Sequence, residues 1–296
     1  AGAQLGRLVA DRKNSGELRS EALRTLGELN DPALDDAVRA AAADPDEKLR
    51  EAAIQFAAAR PNASVLALLT SALENGTLGE KRAALTALGN LQTPQATAIL
   101  LEQIEKLRNS TLPKELQLDL VEAANKHPAP DLQQALAQYQ RSKPAGDDLA
   151  AFSEELYGGD AERGRKIFFE QADAQCVRCH KVDNRGGDVG PDLTHIGSQK
   201  DRHYLLESVV LPNKQIAPGF ESVTVVLKND EMIAGVLKSE TADTLVINSP
   251  QNGLVTVKKS QIENRRKGLS PMPEGFGQIL SKNALRDLVE FLSTQK

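Results

Sequence analysis

The chain has 296 residues, enough for about two domains, with a net charge of −5 and only 3% aromatic residues. This mildly acidic balance excludes the basic footprint of a nucleic-acid-binding protein, and no apolar run approaches the length of a membrane span. So few aromatic side chains favour helices packed on Ala and Leu over a large β-sandwich. Two cysteines are also too few for a disulfide scaffold.

The first half of the sequence repeats one helical pattern. Arg19, Arg50, Arg82 and Gln117 hold equivalent positions at steps of 31, 32 and 35 residues. Paired helices of this kind bury their apolar faces only by stacking, so the period predicts an α-solenoid over residues 1–143. Its period and composition resemble HEAT-type repeats, and an irregular helical bundle is the alternative. The predicted helices are 17–29, 33–43, 48–59, 64–74, 80–91, 95–107, 114–126 and 131–140.

After a linker at 142–148 the pattern changes, and residues 144–296 are predicted to form a second domain. Helices are expected at 160–172, 201–211 and 281–294. Between them, residues 220–262 alternate apolar and polar side chains with a period of two. This pattern predicts an antiparallel sheet of about four strands, curled like an Sm or SH3 barrel, as an insert at about 219–269. The expected fold class is therefore mainly α, an α-solenoid followed by an all-α domain that carries this small antiparallel insert.

Both cysteines lie in the run Cys176-Val177-Arg178-Cys179-His180. This is C-x-x-C-H, the pattern for covalent attachment of haem c. Two thiols at this spacing reach the two vinyl groups on one porphyrin edge, and the adjacent histidine supplies an axial nitrogen to the iron.

Other interpretations of the motif remain open. A dithiol switch needs no following histidine and is expected in a βαβ setting, which is absent from this sequence. A structural zinc site needs four ligands, and the eight-residue separation of His195 and His203 is not a zinc-finger spacing. A buried structural pair of cysteines is the third alternative.

Five features of the second domain occur in a fixed order. They are Gly164 with Phe168, the C-x-x-C-H motif, Gly190-Pro191-Asp192-Leu193, Ser270-Pro271-Met272-Pro273, and a last helix with the aromatic Phe291 near its end. Together they resemble a class I cytochrome c, and the resemblance covers residues 150–219 and 268–296. More narrowly, the chain is similar to the C-terminal haem-binding region of planctomycete-type secreted proteins, which are sugar dehydrogenase-like and place helical repeats before a cytochrome c domain.

The resemblance implies a role for each site residue. Cys176 and Cys179 would form thioethers to haem c, and His180 would be the proximal iron ligand. The Pro191 carbonyl would accept the other ring N–H of His180. Met272 would be the distal ligand, since a thioether opposite a histidine favours reduced iron. Candidates for the apolar wall of the haem pocket are Phe168, Leu193, Ile196 and Leu205.

The other methionine, the other histidines and one basic run are not expected to bind the iron. Met232 is expected to be a core or surface residue of a strand, and His203 to face solvent. His195 is expected near the haem but not on the iron, and His127 in a repeat loop. The basic run 265–267 would meet a haem propionate or an acidic partner, or would simply be a solvated turn.

Iron with six ligands leaves no open site, so the resemblance implies an electron-transfer module rather than an enzyme. Its redox partner would be a periplasmic dehydrogenase, as a separate protein or as a domain of the same polypeptide. A haem enzyme or gas sensor with a displaceable distal ligand, and a non-haem interaction scaffold, are the alternatives. Covalent haem attachment implies a periplasmic or otherwise extracytoplasmic location. The N-terminus lacks a signal sequence, so we expect a leader to have been removed or to lie outside this sequence.

Overall fold

The computed structural model describes residues 1–249 and 251–296, and it divides into two compact units, Ala1–Glu154 and Glu155–Lys296. We call them the repeat unit and the second unit. The sequence placed this division earlier, after Lys143. The difference arises because the buried carboxylate of Glu154 binds the ammonium group of Lys143 at 2.8 Å and accepts a hydrogen bond from the hydroxyl of Tyr139. These contacts hold the segment after Lys143 to the repeat unit.

The repeat unit consists of helices in sequence, and every helix predicted in it is present. A first helix, α1, was not predicted, and a short 3-10 turn, Lys114–Leu116, precedes α8. No helix among the described residues is long and apolar enough to cross a membrane. The helices are α1 (Gly2–Ala10), α2 (Gly16–Glu28), α3 (Leu34–Ala42), α4 (Glu47–Ala57), α5 (Ala63–Asn75), α6 (Leu78–Asn90), α7 (Pro94–Arg108), α8 (Gln117–Lys126) and α9 (Pro130–Ser142).

Polar side chains cap the N-terminal ends of several of these helices by accepting hydrogen bonds from free backbone N–H groups. Asp46 accepts hydrogen bonds from the first turn of α4. At the start of α6, Thr77 and Glu80 form a reciprocal capping box. Thr93 caps α7, whose first residue is Pro94, a position where the missing N–H costs nothing. These local signals explain why the helix starts could be predicted closely.

One continuous apolar core runs through the repeat unit. It consists of Ala, Leu, Ile and Val side chains, with Leu23, Leu49 and Leu85 fully buried. Phe56 and Tyr139 pack against it only in part. The expectation of helices packed on Ala and Leu is therefore confirmed for this unit.

The arginines that mark the period also join successive repeats. Each guanidinium group reaches an acidic side chain in the next repeat. Gln117, at the fourth equivalent position, is uncharged and begins α8. The three arginines thus lie at similar positions in their helices, as the helical period predicts, whereas Gln117 is the first residue of α8. The three ion pairs are Arg19 with Asp44 at 2.6 Å, Arg50 with Glu80 at 2.6 Å, and Arg82 with Asp119 at 3.4 Å.

The second unit combines helices with two antiparallel sheets. Helices α10, α13 and α15 were predicted, whereas the one-turn helices α11, α12 and α14 were not. Helices α10 and α15 pack at Gly164, where any Cβ would collide with the backbone carbonyl of Asp287. The helices are α10 (Ala161–Glu170), α11 (Cys176–Cys179), α12 (Ile196–Gln199), α13 (Arg202–Val210), α14 (Phe276–Ile279) and α15 (Lys282–Thr294).

The strands correct two predictions. The cytochrome c region is not all-α, because β1 and β2 form a hairpin directly after the cysteine motif. The insert has five strands rather than four, in the order β6-β5-β4-β3-β7. The fifth strand was missed because it lies at an exposed edge of the sheet, where no apolar alternation marks it. The strands are β1 (Lys181–Val182), β2 (Arg185–Gly186), β3 (Ser222–Leu227), β4 (Met232–Glu240), β5 (Thr244–Ser249), β6 (Gly253–Lys258) and β7 (Ile262–Lys267).

The insert has its own small core, which includes Val225, Leu245 and Ile247. Irregularities in register interrupt β3 after Val226 and β4 after Leu237. Bulges of this kind bend strands and increase their twist. The curling of this sheet into an Sm- or SH3-like barrel stays a prediction.

Candidate haem-binding site

The cysteine motif forms a single helical turn. Cys176 and Cys179 begin and end α11, and a three-residue separation places two side chains on the same face of a helix. Both thiols are free and partly buried. Burial raises the pKa of the Cys176 thiol to about 11, so this cysteine is protonated at neutral pH.

His180 follows α11 in extended conformation, and its ring is held from one side. Its Nδ1 lies 3.0 Å from the carbonyl oxygen of Pro191. A carbonyl can only accept a hydrogen bond, so Nδ1 carries the proton and Nε2 of the neutral ring keeps its lone pair. Burial lowers the pKa of His180, more than the hydrogen bond to Pro191 raises it. The ring is therefore prepared as a neutral metal ligand through Nε2.

The backbone beside His180 leaves just enough room for the ring. A Cβ added to Gly190 would lie 2.6 Å from Cε1 of His180. The N–H of Gly190 donates to the carbonyl of Cys179 at 2.8 Å, which holds this close approach in place. Two free thiols on one turn, next to an imidazole with an available nitrogen, fit the requirements of a covalently attached haem.

The hairpin β1–β2 returns the chain to the motif. Its two-residue turn, Asp183-Asn184, has positive φ at both positions, as a type I′ turn requires. After the turn, the N–H of Gly187 donates to the carbonyl of Val177 at 2.9 Å. The sequence analysis did not recognise this hairpin, although the turn-forming pair Asp183-Asn184 was its available signal.

A stack of cations on one aromatic ring joins the hairpin to α10. The guanidinium of Arg185 lies 4.5 Å from the centre of the Phe169 ring, and that of Arg165 lies 5.0 Å from it. Contacts of this length between arginine and an aromatic face are attractive. The sequence analysis assigned no role to these three residues.

The four residues predicted to form the apolar wall occupy different environments. Phe168 is buried between α10 and α15, with its ring centre 5.6 Å from that of Phe291. Leu205 is buried in α13. Leu193 and Ile196 are half-buried in the segment that follows Pro191. Their contact with a haem stays a prediction.

Met272 lies in a separate loop between β7 and α14, which we call the methionine loop (residues 270–274). The residue is half-buried, and its N–H donates to the hydroxyl of Ser270 at 3.2 Å. By contrast, Met232 at the start of β4 is 67% exposed. The approach of the Met272 sulfur to the iron stays a prediction.

The remaining candidates lie mostly at the surface. His195 and His203 are exposed, whereas His127 is buried in a loop of the repeat unit, with Nε2 2.9 Å from the carbonyl of Leu91. Arg265 is engaged by both carboxylate oxygens of Glu240, each at 2.9 Å. Among the described residues, no three His, Cys, Asp or Glu side chains are placed to hold a metal ion together.

This geometry has a counterpart among known families. Residues 161–245 match the family model for cytochrome c. Residues 7–83 match the family model for HEAT repeats. No curated protein matches the chain.

A cytochrome c domain implies haem c and points to haem-based electron transfer. The matched residues extend from the start of α10 into β5, and they include the cysteine motif and Pro191. Met272 and α15 lie outside this match. Domains of the cytochrome c family are commonly extracytoplasmic.

Proposed function

We propose that the chain transfers electrons through one haem c attached to Cys176 and Cys179, with His180 and Met272 as the axial ligands of the iron. The hydrogen bond from Nδ1 of His180 to Pro191 is the observation that carries this proposal. When bound, haem c supplies a one-electron couple between ferric and ferrous iron.

The protein's own contribution on the His180 side is orientation. The Pro191 carbonyl fixes the tautomer, and the Gly190 backbone limits rotation of the ring. A hydrogen bond of this kind also makes an imidazole a stronger donor to a metal. The imidazole would thus already be oriented to hold haem iron through Nε2.

The Met272 side contributes a neutral sulfur. A thioether opposite an imidazole raises the reduction potential relative to two imidazoles. The chain has one other methionine, Met232, and its exposed position at the start of β4 does not suit an iron ligand. Ligation by both His180 and Met272 would leave no open position on the iron, which would disfavour substrate chemistry there.

The partner proposed here is a dehydrogenase that donates electrons, either a separate protein or a further domain of the same polypeptide. We propose a periplasmic or otherwise extracytoplasmic location, because haem is attached to such motifs outside the cytoplasm. The resemblance to planctomycete-type secreted proteins implies both the dehydrogenase partner and this location, and it stays a prediction. The repeat unit would serve to dock this partner.

Optical spectroscopy and electrode titration of the haem-attached chain test the proposal. A sharp low-spin α band on reduction, with a reversible one-electron titration, is the expected result. Rapid and complete binding of carbon monoxide by the reduced protein would instead favour a haem enzyme or gas sensor. A colourless product from a host that attaches haem c would leave the non-haem scaffold as the remaining interpretation.

A further inference from the structure

We propose that Asn213 is a positioning residue that fixes the methionine loop and thereby holds the sulfur of Met272 on the iron. This inference rests on the proposed function, because it takes Met272 as a ligand. It adds a residue that lies far from the methionine in sequence and belongs to none of the recognised motifs.

The side chain of Asn213 binds both ends of the methionine loop. Its Oδ1 accepts a hydrogen bond from the N–H of Ser270 at 2.7 Å. Its Nδ2 donates to the carboxylate of Glu274. One side chain therefore ties the first and the last residue of a five-residue loop, and Met272 is the residue in the middle.

The prolines of the loop, within the part of the chain that the structure describes, add little to hold it against the rest of the unit. Pro271 and Pro273 have no N–H, so they can donate no backbone hydrogen bond. The N–H of Met272 donates to Ser270, within the loop itself. Proline rings restrict φ, but they do not anchor a loop to the rest of a domain. Asn213 supplies that anchor.

The position of Asn213 in the chain gives the contact a further consequence. Asn213 precedes the insert, and Ser270 follows it, 57 positions later. At the base of the insert, the N–H of Gly268 donates to the carbonyl of Ser222 at 2.9 Å, and the Ser222 hydroxyl binds the carbonyl of Leu269. The contact made by Asn213 thus joins the two chain segments that flank the insert, close in sequence to Met272, the residue proposed to bind iron.

The chemistry of the contact requires an amide. Asn presents one acceptor oxygen and one donor nitrogen, which match the N–H of Ser270 and the carboxylate of Glu274. Asn213→Asp keeps the acceptor for the N–H of Ser270, but its carboxylate would be repelled by the carboxylate of Glu274. Adding Glu274→Gln restores a donor and acceptor pair in the opposite sense. The double variant should therefore recover what Asn213→Asp loses.

The test uses the full chain with haem attached. Asn213→Ala should weaken the far-red charge-transfer band of sulfur-ligated ferric iron. It should also accelerate carbon monoxide binding by at least about tenfold, because it removes both hydrogen bonds of Asn213, one of them to a charged carboxylate. Amide hydrogen exchange at Ser270 should accelerate in parallel. Asn229→Ala is the matched control, since Asn229 also contacts a glutamate, Glu231, but in the turn between β3 and β4. This control should change neither readout.

The possible results separate the inference from the function on which it rests. A band that survives in Asn213→Ala, with unchanged carbon monoxide binding, would overturn the role of Asn213 and leave Met272 as the ligand. Absence of the band from the unmodified protein would overturn the ligation itself, and the inference with it. If Asn213→Ala does not fold, the comparison of Asn213→Asp with its Glu274→Gln double variant decides. Recovery of the band supports the inference, and equal bands in the two variants contradict it.

Discussion

The two units of the chain position their important side chains by different means. In the repeat unit, an arginine in each of three successive repeats binds an acidic side chain of the next repeat, and the helices share a continuous aliphatic core. In the second unit, the ring of His180 is held by backbone atoms, namely the carbonyl of Pro191 and the close approach of Gly190. In the repeat unit, several similar contacts share the stabilisation of the helical stack. In the binding motif, the orientation of one imidazole ring depends on a few individual contacts.

The largest expected effect is all or none and concerns the motif. The double variant Cys176→Ala, Cys179→Ala removes both attachment points, and it should abolish covalent haem completely. Mass spectrometry of the denatured protein measures this directly. Val177→Ala is the control, because it alters the turn between the cysteines without removing a thiol, and it should keep the haem mass. Retention of that mass by the double variant would contradict the assignment of the motif.

The second effect concerns the buried arginine of the repeat unit. Arg19→Ala leaves Asp44 as a buried carboxylate without its strongest partner, and breaking a buried pair costs about 3–5 kcal/mol. Denaturant unfolding should register that loss. Arg39→Ala removes an exposed pair with Asp36 and should change the free energy of unfolding by less than about 1 kcal/mol. Equal effects of the two substitutions would show that the arginine ladder contributes little.

The third prediction applies one substitution, Gly to Ala, to both units. Gly190→Ala should cost about 1–3 kcal/mol, because the new Cβ would press on the His180 ring. Gly6→Ala, on α1 with open space around it, should be neutral or stabilising by up to about 1 kcal/mol. Thermal unfolding compares them. A harmless Gly190→Ala would mean that the backbone does not limit the ring.

The smallest effect is expected at the surface of the insert. Hydrogen bonds from Arg265 and Lys259 lower the pKa of Glu240 to about 2. Because this pKa is depressed in the folded state, the stabilisation is present above the ordinary glutamate pKa and is lost as the pH falls towards 2. Arg265→Ala should therefore reduce the acid sensitivity of the insert only slightly, measured by hydrogen exchange of β4 amides between neutral and acid pH. A large change would contradict the view that exposed pairs contribute little.

The sequence predicted the repeat unit more completely than the second unit, for a physical reason. Helix caps such as Thr77 and Asp46, and the spacing of Arg19 and Arg50, are local or periodic signals. The cysteine motif and Pro191 could be found in the same way, since they lie close together in sequence. The edge strand β7 could not, because charged residues exposed at the edge of a sheet leave no apolar pattern.

Contacts across the insert were beyond local signals as well. Asn213 and Ser270 meet only because the sheet returns the chain to its starting point. Arg165 lies four residues before Phe169 on α10, a spacing visible in the sequence, but Arg185 reaches the same ring from β2. No spacing rule links residues of different elements, and only the folded backbone brings them together.

The central claim is that the sulfur of Met272 is the second iron ligand, together with His180. The most direct measurement compares Met272→Ala with Met232→Ala by the far-red band of the oxidised, haem-attached chain. The account predicts that the band is lost, and carbon monoxide binding becomes fast, only in Met272→Ala. A band that persists in Met272→Ala, or that disappears in Met232→Ala, would contradict it.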